Sequence, residues 1–144
     1  MRISEVLGGK SGDVVTVLPD ATVRELVGLL AEHNIGALVV SADGSSVDGI
    51  VSERDVVRRL HDDDAVLDAS VSSIMSSDVA TCSGHDTVND LMALMTERRF
   101  RHVPVVKDGK LAGIVSIGDV VKSRMSELEF ERDQLDSYVQ GAQT

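Results

Sequence analysis

Apolar and polar positions follow two rhythms along this chain, and the same order of rhythms comes round twice. Short apolar runs at Val14 to Val17 and at Val79 to Cys82 predict strands. After each, Pro19-Asp20-Ala21-Thr22 or His85-Asp86-Thr87 supplies a turn and a helix N-cap, since Asp and Thr oxygens accept the orphan amides of a first turn. The next segment has helical spacing: Val23, Leu26, Val27 and Leu30 predict a helix from about Val23 to His33 with one buried face, and its partner runs from about Val88 to Arg98. Two strands joined by a tight turn follow, Ala37 to Val40 with Gly49 to Val51, and Val103 to Val106 with Leu111 to Val115. A closing helix is expected over Asp55 to Leu60 and from Asp119 onward.

The correspondence is residue by residue. Thr22-Val23 returns as Thr87-Val88, 65 residues on; Leu26, Leu29 and Leu30 return as Leu91, Leu94 and Met95; and Val39-Val40 aligns with Pro104-Val105. Gly49 and Gly113 are 64 apart, because Asp43-Gly44-Ser45-Ser46 is one residue longer than Asp108-Gly109-Lys110. A lead-in recurs too, Ile3-Ser4-Glu5-Val6-Leu7 as Val71-Ser72-Ser73-Ile74-Met75. The domain reading is residues 1–60 for the first repeat, 61–70 for a linker, 71–125 for the second repeat and 126–144 for a helical extension. In the linker, Asp62-Asp63-Asp64 reads as a solvated stretch or helix end rather than a metal site. In the extension Val121, Leu128 and Leu135 are spaced by seven, with Met125 and Val139 interleaved and Arg132 breaking the second series. That is an incomplete heptad seam, suited to another subunit or to the chain's own body.

Composition narrows the function. With no Trp, one Tyr and two Phe among 144 residues, the core is aliphatic and a stacking platform for single-stranded nucleic acid lacks its rings. A formal net charge of −10 repels phosphate backbones, which argues against nucleic acid as a partner. Yet Arg54, Arg58, Arg59, Arg98, Arg99 and Arg101 gather positive charge into two short segments. One cysteine, Cys82, allows no internal disulfide and reads as a small core residue. No signal region and no apolar run of about 20 residues is present, so the expectation is a cytoplasmic protein without a membrane partner. His33, His61, His85 and His102 have no metal-ligand spacing, and neither a P-loop nor a nucleophile elbow occurs. No catalytic constellation emerges, and the expectation is not an enzyme.

One motif points to a ligand. Gly49-Ile50-Val51-Ser52-Glu53-Arg54-Asp55-Val56-Val57 returns as Gly113-Ile114-Val115-Ser116-Ile117-Gly118-Asp119-Val120-Val121. With the duplicated strand-helix-strand-strand-helix order around it, and with Arg101-His102-Val103-Pro104-Val105-Val106 before it, the chain resembles a tandem pair of cystathionine-beta-synthase (CBS) domains, a Bateman module of the stand-alone bacterial or archaeal type. The resemblance covers roughly residues 1–125. It implies an α/β fold of two pseudo-symmetric β-α-β-β-α repeats, packed sheet to sheet with helices outside and followed by the extended C-terminal helix. It further implies a regulatory, energy-sensing module that binds adenosine-containing ligands (AMP, ADP, ATP, NAD or S-adenosylmethionine) in two clefts between the repeats, works as a homodimer and signals to an effector protein still unknown. A structural dimerisation or adaptor module that binds no nucleotide is the alternative.

The residues give this chemistry independent content. A ribose offers two adjacent hydroxyl donors, and a carboxylate accepts both through charge-assisted bonds. Asp55 and Asp119 are the candidate clamps, on a helix start that favours negative charge. Ser52 and Ser116 reach the ribose or phosphate. Helix capping is the competing role for each Asp; the duplication, taken together with the family resemblance, favours ligand contact. The resemblance assigns Arg101 and His102 to a ligand phosphate, and Arg54 sits within the first motif. Repeat 1 has Gly36-Ala37 in place of Arg101-His102, and repeat 2 has Gly118 in place of Arg54, so at most one cleft is expected to hold a phosphate strongly. Arg58, Arg59, Arg98 and Arg99 read as solvated helix faces. An adenine needs an apolar slot: Val15, Ile35, Ala37 and Ile50 are the candidates for one cleft, and Ala80, Val103, Pro104 and Ile114 for the other; Thr16 is a further candidate ligand contact.

Overall fold

A computed structural model describes residues 1–9 and 14–142; the last two residues of the expected 126–144 extension lie outside the described residues. The elements run α1 (Ile3–Gly8), β1 (Thr16–Val17), α2 (Val23–His33), β2 (Ala37–Val40), β3 (Gly49–Ser52), α3 (Glu53–Asp62), two 3₁₀ turns (Asp64–Asp68 and Val71–Ser73), α4 (Val88–Arg98), β4 (His102–Lys107), β5 (Lys110–Ser116) and α5 (Ile117–Ala142). The fold is α/β: the first repeat has the strand-helix-strand-strand-helix order, the second has helix-strand-strand-helix with its first strand reduced to one bridge, and the last helix is long. It divides into two compact units, one of Met1–Ser11, Ser83–His102 and Val115–Thr144, the other of Gly12–Cys82 and Val103–Ile114.

In the second of these units β1 pairs parallel with β2 and β2 antiparallel with β3, giving the order β1-β2-β3. Val17, Leu38, Val40 and Val51 point from this sheet into a core with Val23, Leu26 and Leu30 of α2 and Val56 of α3. Helix α2 starts at a capping box in which Thr22 accepts from the Glu25 amide and Glu25 accepts from the Thr22 amide, an arrangement whose loss costs about 1 kcal/mol. It ends on Asn34 in the left-handed conformation (φ 52°). Repeat 2 copies both ends of that helix in α4, with a Thr87–Asp90 box and a left-handed Arg99 (φ 58°).

Several sequence expectations are corrected. Val27 is 39% exposed, and Leu29, on the opposite edge of the buried face of α2, packs against the core. The strand expected over Val14 to Val17 is reduced to Thr16–Val17. The one expected over Val79 to Cys82 is a single parallel bridge between Cys82 and Val105. Pro104 has no N–H to give to a neighbouring strand, so the ladder around Cys82 rests on Cys82 N to Pro104 O (3.0 Å) and Val106 N to Cys82 O (2.8 Å). The closing helices begin at Glu53 and Ile117 rather than at Asp55 and Asp119, because the preceding serines supply the caps. Within residues 61–70, α3 continues to Asp62 and Asp63 caps the next 3₁₀ turn through the Ala65 amide, while Val66 is buried in the core.

The lead-ins are exchanged. The stretch at the start of the chain docks on the second repeat: Ile3 N bonds Asp86 O (2.9 Å), Ser4 N bonds Gly84 O (3.0 Å) and Val88 N bonds Met1 O (3.0 Å). The second lead-in docks on the first repeat in the same way: Val71 N bonds Ala21 O (2.8 Å), Ser72 N bonds Pro19 O (3.0 Å) and Val23 N bonds Ala69 O (2.9 Å). Ile3 and Val71, equivalent by position, are both fully buried. Ser76 then pairs with Ile50, and this approach requires Gly49: a Cβ there would stand 2.6 Å from Met75 Sδ and 2.9 Å from Ser76 O.

Candidate functional site

Pairing in the three-stranded sheet sorts the candidate residues by face. Thr16 lies opposite Val39, Val39 opposite Ile50, and Ala37 opposite Ser52. Paired residues share a face and strands alternate every second residue, so Thr16, Ala37, Val39, Ile50 and Ser52 form one face, opposite the core residues Val17, Leu38, Val40 and Val51. Ala37 and Val39 are buried there, while Thr16, Ile50 and Ser52 are half-buried. Val15, a sequence candidate for the cleft, is half-buried just before β1 and packs against the core instead, on the side opposite Thr16, and Ile35 is exposed just after the left-handed Asn34.

The face ends at the first Ser-x-x-Asp. Ser52 is the N-cap of α3, its Oγ accepting from the Asp55 amide (3.3 Å), and Asp55 Oδ2 accepts from the Ser52 amide (2.8 Å) and from Ser52 Oγ (3.0 Å). The first amide of the helix, Glu53 N, donates to Gly36 O (2.9 Å), which ties the junction to the start of β2. Asp55 is half-buried and Arg54, one residue before it on the helix, is exposed.

The same machinery stands at the second junction. Ser116 N donates to Asp119 Oδ2 (2.9 Å), Asp119 N donates to Ser116 Oγ (3.1 Å), and Ile117 N donates to Arg101 O (2.8 Å). That last bond is the counterpart of Glu53 to Gly36. The backbone is the same, but an exposed arginine now stands where repeat 1 has glycine, and half-buried His102 stands where repeat 1 has buried Ala37. Arg101, His102, Ser116 and Asp119 all belong to the unit that contains α5, whereas Ala80, Pro104 and Ile114 belong to the other. Along β4 His102 and Pro104 alternate with Val103 and Val105, and along β5 Ile114 and Ser116 share one face. Ala80 and Ile114 are half-buried, and Pro104 is buried.

Each aspartate therefore faces its own helix start with one oxygen, Oδ2, which is the capping role weighed at the outset. The carboxylate sits in the first turn of its helix, where the exposed amide dipoles favour a negative charge, and Ser52 and Ser116 hold its orientation. A hydrogen-bond acceptor fixed in this way is pre-set to receive hydroxyl donors. Val39 completes the face and is absent from the sequence candidates. Its alignment with Pro104 was the signal that would have found it.

A family model described as CBS domain matches residues 3–62 and again 71–126. The chain is 36% identical to the CBS domain-containing protein CBSX3, mitochondrial, of Arabidopsis thaliana, over 96% of this chain and 72% of that protein. Among solved structures, the CBS-domain containing protein ATU1752 from Agrobacterium tumefaciens is similar with a TM-score of 0.81 and 48% identity, covering 86% of this chain and 99% of that one. The CBS domain protein PAE2072 from Pyrobaculum aerophilum, solved in complex with AMP, matches with a TM-score of 0.73 and 31% identity, covering 83% of this chain and 89% of that one. Among the described residues no helix is long and apolar enough to cross a membrane.

Proposed function

As the chain belongs to the CBS-domain family, we propose that it is a regulatory module that binds an adenosine-containing metabolite at its Ser-x-x-Asp junctions. The observation that carries this reading is the doubled junction with cationic side chains at different places in its two copies. Ser52 with Asp55, and Ser116 with Asp119, offer the same acceptors on the same backbone, while Arg101 and His102 accompany only the second. A ribose suits the acceptors, and a phosphate suits Arg101. The AMP complex of the Pyrobaculum aerophilum relative supports a ligand of this class. AMP, ADP, ATP, NAD and S-adenosylmethionine all carry the adenosine that the junctions would hold. The phosphate-bearing ones (AMP, ADP, ATP and NAD) add a group for Arg101, which makes the second junction their stronger site, and the relative's complex favours AMP among them. Binding acts on an effector only through a difference in affinity between two states of the module.

The second reading is an adaptor with no nucleotide. It is favoured by Asp55 Oδ2, which already accepts from both the amide and the hydroxyl of Ser52. Calorimetric titration with AMP, ATP, NAD, S-adenosylmethionine and adenosine separates the two. The expected result is micromolar binding of AMP, about −8 kcal/mol, weaker binding of adenosine, and loss of about tenfold or more in Asp119→Ala from the missing charged hydrogen bonds. Silence from all five compounds assigns the chain to the adaptor reading. Unchanged affinity with a lowered melting temperature in Asp119→Ala assigns that carboxylate to capping alone.

A further inference from the structure

The second lead-in ends on a methionine. Ile3-Ser4-Glu5-Val6-Leu7 returns as Val71-Ser72-Ser73-Ile74-Met75, so Met75 holds the place of Leu7, and both are half-buried. Met75 packs against the core that contains Val71 and Ile74. One residue on, the chain closes on the edge of β3 through two backbone bonds, Ser76 N to Ile50 O (2.9 Å) and Ile50 N to Ser76 O (3.0 Å). The thioether stands beside this bridge. A Cβ on Gly49 would lie 2.6 Å from Met75 Sδ, 3.0 Å from its Cγ and 2.9 Å from Ser76 O, so sulfur and carbonyl oxygen crowd the same point over the glycine.

We propose that Met75 is a peroxide-sensitive latch: its oxidation to the sulfoxide releases the Ser76–Ile50 bridge. The step is a two-electron oxygen transfer. A sulfur lone pair attacks one oxygen of hydrogen peroxide, and the O–O bond breaks as the S–O bond forms. The departing hydroxide takes the proton left on the transferred oxygen and leaves as water. The apolar thioether thereby becomes a polar group. Neither the Gly49 α-carbon nor the Ser76 carbonyl can donate a hydrogen bond to the new oxygen, and the Ile50 and Ser76 amides are spent on each other. The sulfoxide gains by turning towards water, and Ser76, next in the chain, is drawn off the sheet edge with it. Leu7 offers no such chemistry in the first lead-in, so the two copies share a docking mode and differ in their response to oxidant. Met95 is sealed in the core, while Met1, Met92 and Met125 are exposed and already face water, where a sulfoxide costs little. Ile50 lies on the face that ends at Ser52, so the latch holds one edge of that face, whatever the face binds.

Amide hydrogen exchange of the full chain, without added ligand, tests this before and after treatment with hydrogen peroxide. Peptide mass reads the oxidation at each methionine. Oxidation at Met75 should speed exchange at the Ile50 and Ser76 amides about tenfold or more, with the Val71 and Val23 amides still protected, and a methionine sulfoxide reductase should reverse the change. Met75→Leu conserves the packed volume and should show no rise under the same peroxide. Met75→Gln should show the rise with none. Three results overturn the proposal: Met75 left unoxidised when Met92 and Met125 are converted, a sulfoxide at Met75 with exchange unchanged, or an equal rise in Met75→Leu. A rise shared equally by Val71 and Val23 is a general loss of stability and overturns it as well.

Discussion

The two junctions share a backbone and differ in charge. Glu53 N to Gly36 O and Ile117 N to Arg101 O are the same bond at the same place, as are the two Ser-Asp capping pairs that follow them. Around these fixed bonds repeat 1 places its cation inside the motif, at Arg54, and repeat 2 places it before the second strand, at Arg101. Hydrogen-bonded scaffold has been kept in both copies, and the side chains that would meet a phosphate have not. Two junctions that look alike in outline thereby differ in the charge beside them. The way to probe this is to ask which effects of substitution are equal in the two repeats and which are not.

The largest effect expected in both repeats belongs to the exchanged lead-ins. Ile3 is fully buried against the second repeat's unit, so Ile3→Ala removes about 2–5 kcal/mol of stability. Val71→Ala, at the equivalent place on the first repeat, removes fewer methyl groups and a smaller amount. Urea unfolding of both variants checks this. A midpoint unchanged by Ile3→Ala breaks the equivalence of the two docking sites.

The largest unequal effect belongs to the cations. If the second junction is the phosphate site, Arg101→Ala should weaken AMP binding about tenfold, the worth of a lost charged hydrogen bond. Adenosine binding should be unaffected, and Arg54→Ala should change AMP affinity less than Arg101→Ala does. Equal losses at Arg54 and Arg101 would remove the chemical asymmetry proposed here. A smaller contrast lies at the ends of α2 and α4, where Asn34 and Arg99 both hold left-handed backbone. Asn tolerates that region and a long side chain does so at a cost, so Arg99→Asn should stabilise the chain by about 0.5–1 kcal/mol. Thermal denaturation reads the gain.

Most of the fold was legible because the chain repeats itself. Helices α2 and α4 and strand β2 run over the residues that their spacing predicted, since a buried face and a Thr cap are both written locally. What was missed is non-local. Nothing in the spacing around Val79 tells that Pro104, on another strand, would withhold an amide and leave a single bridge. Nor does similarity of Ile3 and Val71 reveal that each lead-in docks on the other repeat. At the site, Ser52 and Ser116 were picked for their spacing to an aspartate, and that spacing is also a capping box; one pattern serves both purposes, so sequence alone could not separate them. Val39 was overlooked because a valine in a strand carries no chemical label; its alignment with Pro104 was the one hint in the sequence, and the pairing with Thr16 and Ile50 places it on their face.

The smallest contrast concerns the two hairpin turns, and it is one of pH. The turn of repeat 2 is set by backbone geometry, with positive φ at Asp108 (53°) and Gly109 (76°), the pattern of a two-residue hairpin. The longer turn of repeat 1 is held by a side chain instead. Asp43 Oδ1 accepts from the amides of Ser45 and Ser46, both at 2.8 Å, and from Ser41 Oγ at 3.3 Å, while Ser41 Oγ also accepts from the Gly44 amide at 2.9 Å. Donation from the Ser46 and Ser45 amides lowers the Asp43 carboxyl to about 2 from its ordinary 3.8. The group is depressed in the folded state, so its contribution is complete above the unfolded value and is lost as pH falls from 3.8 towards 2. Carboxyl chemical shifts followed through this window should place the Asp43 midpoint near 2, and Asp43→Asn should flatten the part of the acid stability loss that belongs to this turn. A midpoint near 3.8 would mean that the serine amides do not hold the carboxylate, and the two turns would then both rest on backbone conformation.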